Sequence, residues 1–517
     1  MGNILFLHAV GLSPYALEQD LPEGGASKDE APVFAQLTRR MFQLPEADRA
    51  VLLTDLPEET IGLRWKSEWG PIVCRSEWTA ETLLRQLQDE SDGYEHIFYL
   101  WADAPLLDIG LSEKMYRNHR RFFADYTFAD GYPRGLTPQI IKPDAVPQFI
   151  ELSQKHKVEV GRDFLFEVLQ NDINAFDLET EVAPVDQRLL RVCLAADTRR
   201  NLLLLDRVIR AGGTDAASVQ AVLQEQPELL RTLPAYINIQ IEGGCPQACS
   251  YCPYPRIGGE ILKRRDEMPL EKWQSLLDQV EEFCDDAVIG ISAWGEPALH
   301  TQIADIIAAV LERPKLSLAV ETSGVGWSAP VLKRIAEESR NQDTAAGSRL
   351  SWIVSLDSDE EEMYAKLRGP QLGEALAAVD MLGSLFPGQV YVQAVRMKTN
   401  EEELDRFYQR WRKREDVKVI VQKYDSFCGA LPERKVTDLS PIERFPCWHL
   451  KRDMLVLLDG TVPMCREDLE KKYILGNVFE ESLEEVWKRG EEYYLQHLKG
   501  EYPPLCRKCD EYYTYNF

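Results

Sequence analysis

The chain lacks any uninterrupted apolar run of the roughly 18 residues that a membrane-spanning helix requires. It is also short of positive charge, since 59 lysines and arginines face 85 acidic side chains and the net charge is -26. A charge of that sign disfavours nucleic acid or an anionic membrane surface as a general partner. We therefore predict a protein that crosses no membrane and binds no nucleic acid.

Cysteine is scarce as well, because eleven residues in 517 are too few for a disulfide scaffold. Several of them are clustered, however, and clustered thiols that bind metal need a reducing compartment, which predicts a cytoplasmic protein. A hydrophobic content of 44% and a charged content of 28% are typical of a globular protein. The length suggests about three domains.

Three cysteines lie within eight residues, in the run Cys245-Pro-Gln-Ala-Cys249-Ser-Tyr-Cys252, which follows an alternating strand-like segment and a Gly-Gly turn. Thiolates select zinc, copper or iron–sulfur clusters, and three thiolates on a cubane leave one iron open. A structural zinc site is the alternative, but it needs a fourth ligand, and the next cysteine, Cys284, lies in an amphipathic stretch. The spacing favours the cluster and leaves zinc open.

Strand-like runs alternate with helical patterns between residues 231 and 425, which predicts parallel strands joined by right-handed crossovers. Six such units would form an open, partial (βα)6 barrel, in which chemistry gathers at the C-terminal ends of the strands. The predicted strands span residues 236–241, 287–293, 316–322, 350–357, 389–397 and 417–422.

The C-x3-C-x2-C run, with Tyr251 before its last cysteine, resembles the signature of radical S-adenosylmethionine (SAM) enzymes. The second strand ends at Trp294-Gly295-Glu296-Pro297, which is similar to the GGEP element that binds the SAM amino group, with Trp294 in place of the first glycine. The resemblance implies that Cys245, Cys249 and Cys252 hold a 4Fe-4S cluster whose free iron chelates SAM. Further SAM-binding candidates stand at or after the later strands, namely Thr322, Ser355, Asp357, Arg368 and Asn400.

Two of these candidates have structural alternatives. Arg368 lies in a Y-x-x-x-R-G segment similar to that of the family, where arginine pairs with the SAM carboxylate, but a surface ion pair with the acidic run 357–362 is an equal alternative. Asn400 precedes a predicted helix at residues 401–413. Its position favours a role as the N-cap of that helix over SAM binding.

Four later cysteines, Cys447, Cys465, Cys506 and Cys509, include a G-x4-C segment and a C-x2-C pair. They resemble the SPASM/Twitch extension of radical SAM enzymes and imply one auxiliary 4Fe-4S cluster. A zinc ribbon with four thiolates fits these cysteines equally well when they are taken alone. Cys428 lies just before them, and its predicted role is that of a buried small hydrophobe, with a cluster or substrate role as the minor alternative.

Residues 1–215 alternate strand-like and helix-like segments and predict a Rossmann-like α/β domain. Four of its motifs resemble those of the cytidylyltransferases of the nucleotide-sugar class, in which Asp103 and Asp197 would hold Mg²⁺ between substrate phosphates. The Gly-rich basic loop of that class is missing, so we expect a fold that is kept and an activity that is lost; Asp103 as a helix cap or strand end is the structural alternative. The motifs lie at residues 102–108, 124–126, 132–136 and 197–198.

The order of the three parts resembles the radical SAM/SPASM proteins called spiroSPASM, with domains at residues 1–215, 231–425 and 426–517. The resemblance implies reductive cleavage of SAM to a 5′-deoxyadenosyl radical that abstracts hydrogen from a peptide, protein or nucleotide-linked substrate. The electron would come from a donor such as flavodoxin or ferredoxin. Modification of an envelope sugar nucleotide, or a non-enzymatic iron–sulfur carrier or SAM-binding scaffold, are the alternatives.

Overall fold

The computed structural model describes residues 2–22, 30–254, 266–342, 348–437, 440, 444 and 446–513. The chain folds into two compact units, Met1–Thr232 and Leu233–Phe517. Both alternate helices with largely parallel strands, so the predicted α/β class is confirmed. Among the described residues, no helix has both the length and the apolar character needed to span a bilayer.

The first unit alternates strands and helices, as the sequence predicts for residues 1–215. Its strands are β1 (Asn3–Ala9), β2 (Asp20–Pro22), β3 (Glu30–Pro32), β4 (Ala47–Thr54), β5 (Ile72–Cys74), β6 (Ile97–Trp101), β7 (Tyr126–Asp130), β8 (Gln139–Ile141) and β9 (Leu178–Val182). Its helices are α1 (Pro14–Glu18), α2 (Val33–Met41), α3 (Glu58–Ile61), α4 (Ala80–Glu90), α5 (Ile109–Arg121), α6 (Val146–Lys155), α7 (Phe164–Leu169), α8 (Arg199–Arg210) and α9 (Ala216–Glu225).

β1 is the centre of the first unit, and all seven of its residues are buried. It pairs in parallel with β4 and β6, in a sheet ordered β5-β4-β1-β6-β8-β7-β9. Successive side chains of a strand point to opposite faces, so Leu5 and Leu7 pack into one core while Ile4 and Phe6 pack into the other. A continuous apolar strand is what a parallel sheet covered on both faces requires.

The helical segment at residues 217–230, between the predicted first and second domains, packs onto the first unit. α9 occupies most of it, and Val219 and Leu223 are buried in the same core as β1. Asp215 caps this helix by accepting a hydrogen bond from Ser218 N–H at 2.8 Å. The predicted domain boundaries themselves stay predictions.

The second unit contains the six predicted βα strands and a helical C-terminal segment. Its strands are β10 (Tyr236–Ile239), β11 (Ala287–Ile291), β12 (Leu316–Thr322), β13 (Leu350–Ser355), β14 (Val390–Arg396), β15 (Val417–Lys423), β16 (Asp453–Val456), β17 (Thr461–Pro463) and β18 (Ile474–Asn477). Its helices are α10 (Leu270–Cys284), α11 (Ile303–Leu311), α12 (Ala329–Gln342), α13 (Glu361–Leu367), α14 (Leu372–Leu385), α15 (Glu401–Trp411), α16 (Trp448–Arg452), α17 (Leu483–Arg489), α18 (Glu491–Leu498) and α19 (Pro504–Arg507).

Seven of these strands form one parallel sheet in the order β15-β14-β13-β12-β11-β10-β16, and β17 and β18 form a separate antiparallel pair. The six barrel strands are neighbours in chain order, as right-handed crossovers predict. The seventh strand, β16, comes from the segment that carries the later cysteines and pairs with β10. The sequence does not predict this seventh strand. β16 has only four residues and lies more than two hundred residues after β10, so no local pattern indicates that the two strands pair.

Alternation along the strands gives this sheet one apolar face and one open face. In β12, Leu316, Leu318 and Val320 are buried in the helix-covered core, while Ser317, Ala319 and Glu321 between them are only half-buried. The half-buried set faces the interior of the partial barrel, where a cavity opens at the C-terminal strand ends.

The core around β10 offers a stability test with a matched control. Ile239 in β10 is fully buried, whereas Ile474 in β18 is 54% exposed. We expect Ile239→Ala to lower the free energy of unfolding of this unit by about 2–5 kcal/mol, and Ile474→Ala by less than about 1 kcal/mol. Urea unfolding followed by tryptophan fluorescence measures both; equal losses would contradict the packing described for β10.

Candidate active site

The loop that follows β10 carries the three clustered cysteines into one cavity of about 420 Å³. Cys245, Cys249 and Cys252 all line this cavity, and none forms a disulfide. The loop is held against the barrel because Ser250 N–H donates to the carbonyl oxygen of Leu367 at 2.8 Å. Three thiols that face one space are the donor set that a cubane with one open iron requires.

The three thiols are not drawn together as closely as a single zinc ion would hold them. All eleven cysteines are described, and no three of their sulfur atoms lie within 4.8 Å of one another. One tetrahedral zinc ion with Zn–S bonds of about 2.3 Å would bring its sulfurs to about 3.8 Å. Burial raises the pKa of Cys245 and of Cys252 to about 12, so these thiols become thiolates only when a bound cation compensates the charge.

The segment after β11 lies directly against the cysteine loop. Glu296 N–H donates to the carbonyl oxygen of Gly244 at 2.8 Å. A Cβ atom on Gly295 would lie 2.1 Å from the carbonyl oxygen of Glu242, so only glycine allows this approach. The preceding Trp294, which replaces a family glycine, has φ +45° and lines the cavity wall beside Tyr254 and Phe427.

The Glu296 side chain joins the ends of β11 and β12. Its carboxylate is 1% exposed and accepts hydrogen bonds from Ser323 N at 2.7 Å, Ser323 Oγ at 2.6 Å and Ala298 N at 3.2 Å, and from Thr322 Oγ1. Burial raises its pKa, and these donors compensate part of that effect. The carboxylate therefore stabilises the cavity wall by joining the ends of the two strands.

Arg368 forms a buried ion pair behind the cysteine loop. Its Nη1 lies 2.8 Å from Asp357 Oδ2, its Nε donates to Gln247 Oε1 at 3.0 Å, and Tyr251 Oη contacts both members of the pair. Asp357 also accepts from Val395 N–H at 2.8 Å. Arg368 thus pairs with a residue of the acidic run, as the structural alternative predicted. The pair is buried rather than on the surface, since Arg368 is 6% exposed and Asp357 is 2% exposed.

The four later cysteines meet at a second, smaller void. Cys447, Cys465, Cys506 and Cys509 all line it, although they come from segments up to 62 residues apart in sequence. Cys428 lies outside the void but beside its wall, with its sulfur 3.9 Å from Glu467 Oε2. A hydrogen bond with Cys509 raises the pKa of the Cys428 thiol, so this cysteine touches one of the four lining thiols.

Comparison with known proteins agrees with both cysteine sites. A family model described as the radical SAM superfamily matches residues 239–410, and the SPASM model, an iron–sulfur cluster-binding domain, matches residues 447–510. A Treponema pallidum protein, itself named only "Uncharacterized protein", is 39% identical over 365 residues, which cover 68% of this chain and 99% of that protein. The chain belongs to the radical SAM superfamily and carries a SPASM domain.

Two further similarities are more distant. The PqqA peptide cyclase of Xanthomonas euvesicatoria is 22% identical over 303 residues, covering 53% of this chain and 80% of the cyclase. The structure of Streptococcus suis SuiB bound to SAM is 15% identical, covers 57% of this chain and 77% of SuiB, and superposes with a TM-score of 0.42. For a radical SAM protein, the cofactors are a SAM-binding 4Fe-4S cluster, SAM and, with the SPASM domain, an auxiliary iron–sulfur cluster.

The structure divides the predicted SAM-binding residues of this radical SAM domain into two groups. One group lines the cavity, and the other supports its wall. Asn400 belongs to the second group: its side chain bonds Met397 N, Asp357 O and Val395 O, and makes no capping hydrogen bond to α15. The lining residues are Tyr251, Gly295, Glu296, Thr322, Ser355 and Arg368, and the others are Pro297, Asp357 and Asn400. Contact of each with SAM stays a prediction.

Several cavity residues escaped the sequence-based prediction. Glu321 Oε1 accepts from Gln393 Nε2 at 3.0 Å and from Ser355 Oγ at 3.5 Å, which gathers polar groups from three neighbouring strand ends. The alternation of β12 could have placed Glu321 on the inner face. Arg466 and His449 could not have been found, because they reach the cavity only through the pairing of β16 with β10.

The aspartates predicted to hold Mg²⁺ in the first unit are both paired with an arginine. Arg162 Nη1 donates to Asp103 Oδ1 at 2.8 Å, and its Nε lies 3.6 Å from Asp197 Oδ2. The guanidinium also stacks over the Trp101 ring at 4.7 Å. A fixed cation therefore compensates the charge that a metal ion would otherwise neutralise; the expected loss of activity stays a prediction.

The ion pair of Arg162 with the buried Asp103 predicts a large loss of stability when Arg162 is replaced. Arg162→Ala leaves Asp103, which is 2% exposed, without its cation, and we expect a loss of about 3–5 kcal/mol in the free energy of unfolding. Arg134→Ala, which removes the exposed pair with Asp163, should cost less than about 1 kcal/mol. Urea unfolding with and without Mg²⁺ measures both variants; a loss no larger than that of Arg134→Ala would refute the burial argument.

Proposed function

We propose that this radical SAM enzyme abstracts hydrogen from a peptide or protein substrate, with the auxiliary cluster beside the substrate. The proposal is carried by one observation: a single cavity is lined both by the three cysteines of the SAM cluster loop and by residues of the SPASM segment. His449 and Arg466 line this cavity and also the void where the four later cysteines meet. A substrate in the cavity would therefore lie between the two clusters.

The residues of the chain position and shield the reaction. Cys245, Cys249 and Cys252 would hold a 4Fe-4S cluster, which, once reduced by an external electron donor, would supply the electron that splits SAM into methionine and a 5′-deoxyadenosyl radical. Glu296 keeps the ends of β11 and β12 together, and Gly295 lets the backbone approach the cysteine loop. Preorganised walls of this kind hold reacting groups in place and exclude water from the radical.

The wall of the cavity suits a peptide. It combines the ion pairs Lys423–Glu511, at 2.7 Å, and Arg466–Asp425, at 3.1 Å, with the aromatic rings of Trp294, Tyr254 and Phe427. Charged and aromatic groups together can recognise backbone and side chains. The similarity to a peptide cyclase supports the same class.

A nucleotide-linked or envelope sugar substrate is the second candidate. It rests on the resemblance of the first unit to cytidylyltransferases, and the pairing of Arg162 with both aspartates weakens it. A flavodoxin or ferredoxin as electron donor and a cytoplasmic location stay predictions.

A SAM cleavage assay distinguishes the enzyme hypothesis from the hypothesis of a non-enzymatic iron–sulfur carrier. Anaerobically reconstituted protein should contain about eight irons and convert SAM to 5′-deoxyadenosine and methionine when given a strong reductant. Cys245→Ala should abolish cleavage while the spectrum of the auxiliary cluster persists, and Cys74→Ala, at an exposed cysteine far from both sites in sequence, should match the parent protein. Intact SAM after hours of reduction would favour the carrier or scaffold instead.

The substrate class can be read from the hydrogen that is removed. Abstraction from a deuterated substrate places deuterium in 5′-deoxyadenosine, so fractions from cells grown on deuterated medium can be compared by mass spectrometry. We expect deuterium transfer from the peptide and protein fraction, and none from the nucleotide-sugar fraction. Transfer from the nucleotide-sugar fraction alone would make the second candidate correct. Cys245→Ala protein is the control for exchange unrelated to SAM cleavage.

A further inference from the structure

The void where the four later cysteines meet contains a histidine without a hydrogen-bond partner. His497 lies in α18 and is 3% exposed. Neither Nδ1 nor Nε2 has a partner among the described residues. Leaving a buried polar atom unpaired costs about 1–3 kcal/mol, and such atoms are rare in native structures. Two of them on one ring therefore point to a group that binds there.

The surroundings of His497 identify that group. The ring lines the same void as the four thiols, whose other walls include the apolar side chains of Leu450, Met464 and Leu505. The edge of the ring packs against Tyr502, with centroids 4.9 Å apart and an angle of 87°, which restricts its orientation. Polar side chains complete the wall, namely Arg444, His449, Arg466, Glu467 and Glu511, and neither ring nitrogen of His497 bonds to any of them.

The ring is neutral in this setting. Burial, and to a lesser extent the charge of Arg444, lower the pKa of His497 to about 4. A neutral imidazole still carries one N–H donor. The four cysteines already complete the ligand set of a 4Fe-4S cluster, so the histidine is available as a donor and is not needed as an iron ligand.

We propose that His497 donates an N–H hydrogen bond to a sulfur atom of the auxiliary 4Fe-4S cluster and thereby raises its reduction potential. Hydrogen bonds to cluster sulfurs stabilise the reduced, more negative state. His497 is thus a positioning residue that sets the driving force for electron transfer at the auxiliary cluster. The inference rests on the auxiliary cluster of the proposed function, but not on its substrate.

The test uses the full chain with Cys245, Cys249 and Cys252 replaced by alanine, so that only the auxiliary cluster contributes to the spectrum. With ¹⁵N-labelled histidine, pulsed EPR of the reduced cluster should detect a weak nitrogen coupling. The coupling should vanish in His497→Phe and persist in His449→Phe, the control at the other histidine of the void. No coupling, a strong coupling typical of direct Fe–N ligation, or a coupling that survives His497→Phe would overturn the proposal.

A redox titration gives a second readout. His497→Phe keeps a ring of similar shape and removes the donor, so the midpoint potential should shift to a more negative value. His497→Gln restores a donor and should recover part of the shift. Equal potentials for the parent and the two variants would also overturn the proposal. If His497→Phe fails to assemble its cluster, the nitrogen coupling in the unsubstituted side chain still decides the question, and it does so independently of SAM cleavage.

Discussion

The position of β10 between β11 and β16 is the constraint on which the second unit depends. Parallel pairing on both edges of this four-residue strand aligns Tyr236 with Val288 on one side and with Asp453 on the other. Because parallel strands end at the same edge of a sheet, the cysteine loop and the Gly295-Glu296 segment meet there, and the pairing of β16 brings the SPASM residues His449 and Arg466 to the same cavity. Loss of either pairing would separate a part of the site from the others.

Buried charges hold the cavity wall in place and do not act as catalytic groups. Glu296 and the Arg368–Asp357 pair are almost fully buried, and each is satisfied by several hydrogen bonds from separate strand ends. A buried charge is tolerated only with such partners, and losing one partner costs far more than the pair contributes on balance. The wall is therefore stiff where SAM would bind. Trp294 adds a side chain at φ +45°, a conformation that disfavours L-residues by about 1–2 kcal/mol.

In the first unit, the residues that form the core differ from those that pair charges at the ends of its strands. The fully buried β1 and its two cores need only apolar residues in alternation, and these are present. Phosphate and metal binding need particular charges at particular distances, and there Arg162 holds Asp103 and Asp197. Packing and chemistry thus depend on separate residues, so one persists when the other changes.

The sequence by itself determined the α/β class, the six barrel strands and both groups of cysteines, because periodicity, strand-end motifs and short cysteine spacings are local patterns. It could not supply the pairing of β16 with β10, the burial of Arg368 with Asp357, or the placement of His497 among the SPASM cysteines. Each of these contacts joins residues that are distant in sequence or whose residue type alone does not predict a contact. Only the tertiary structure decided them, since contact and burial arise when separate elements pack together and exclude water.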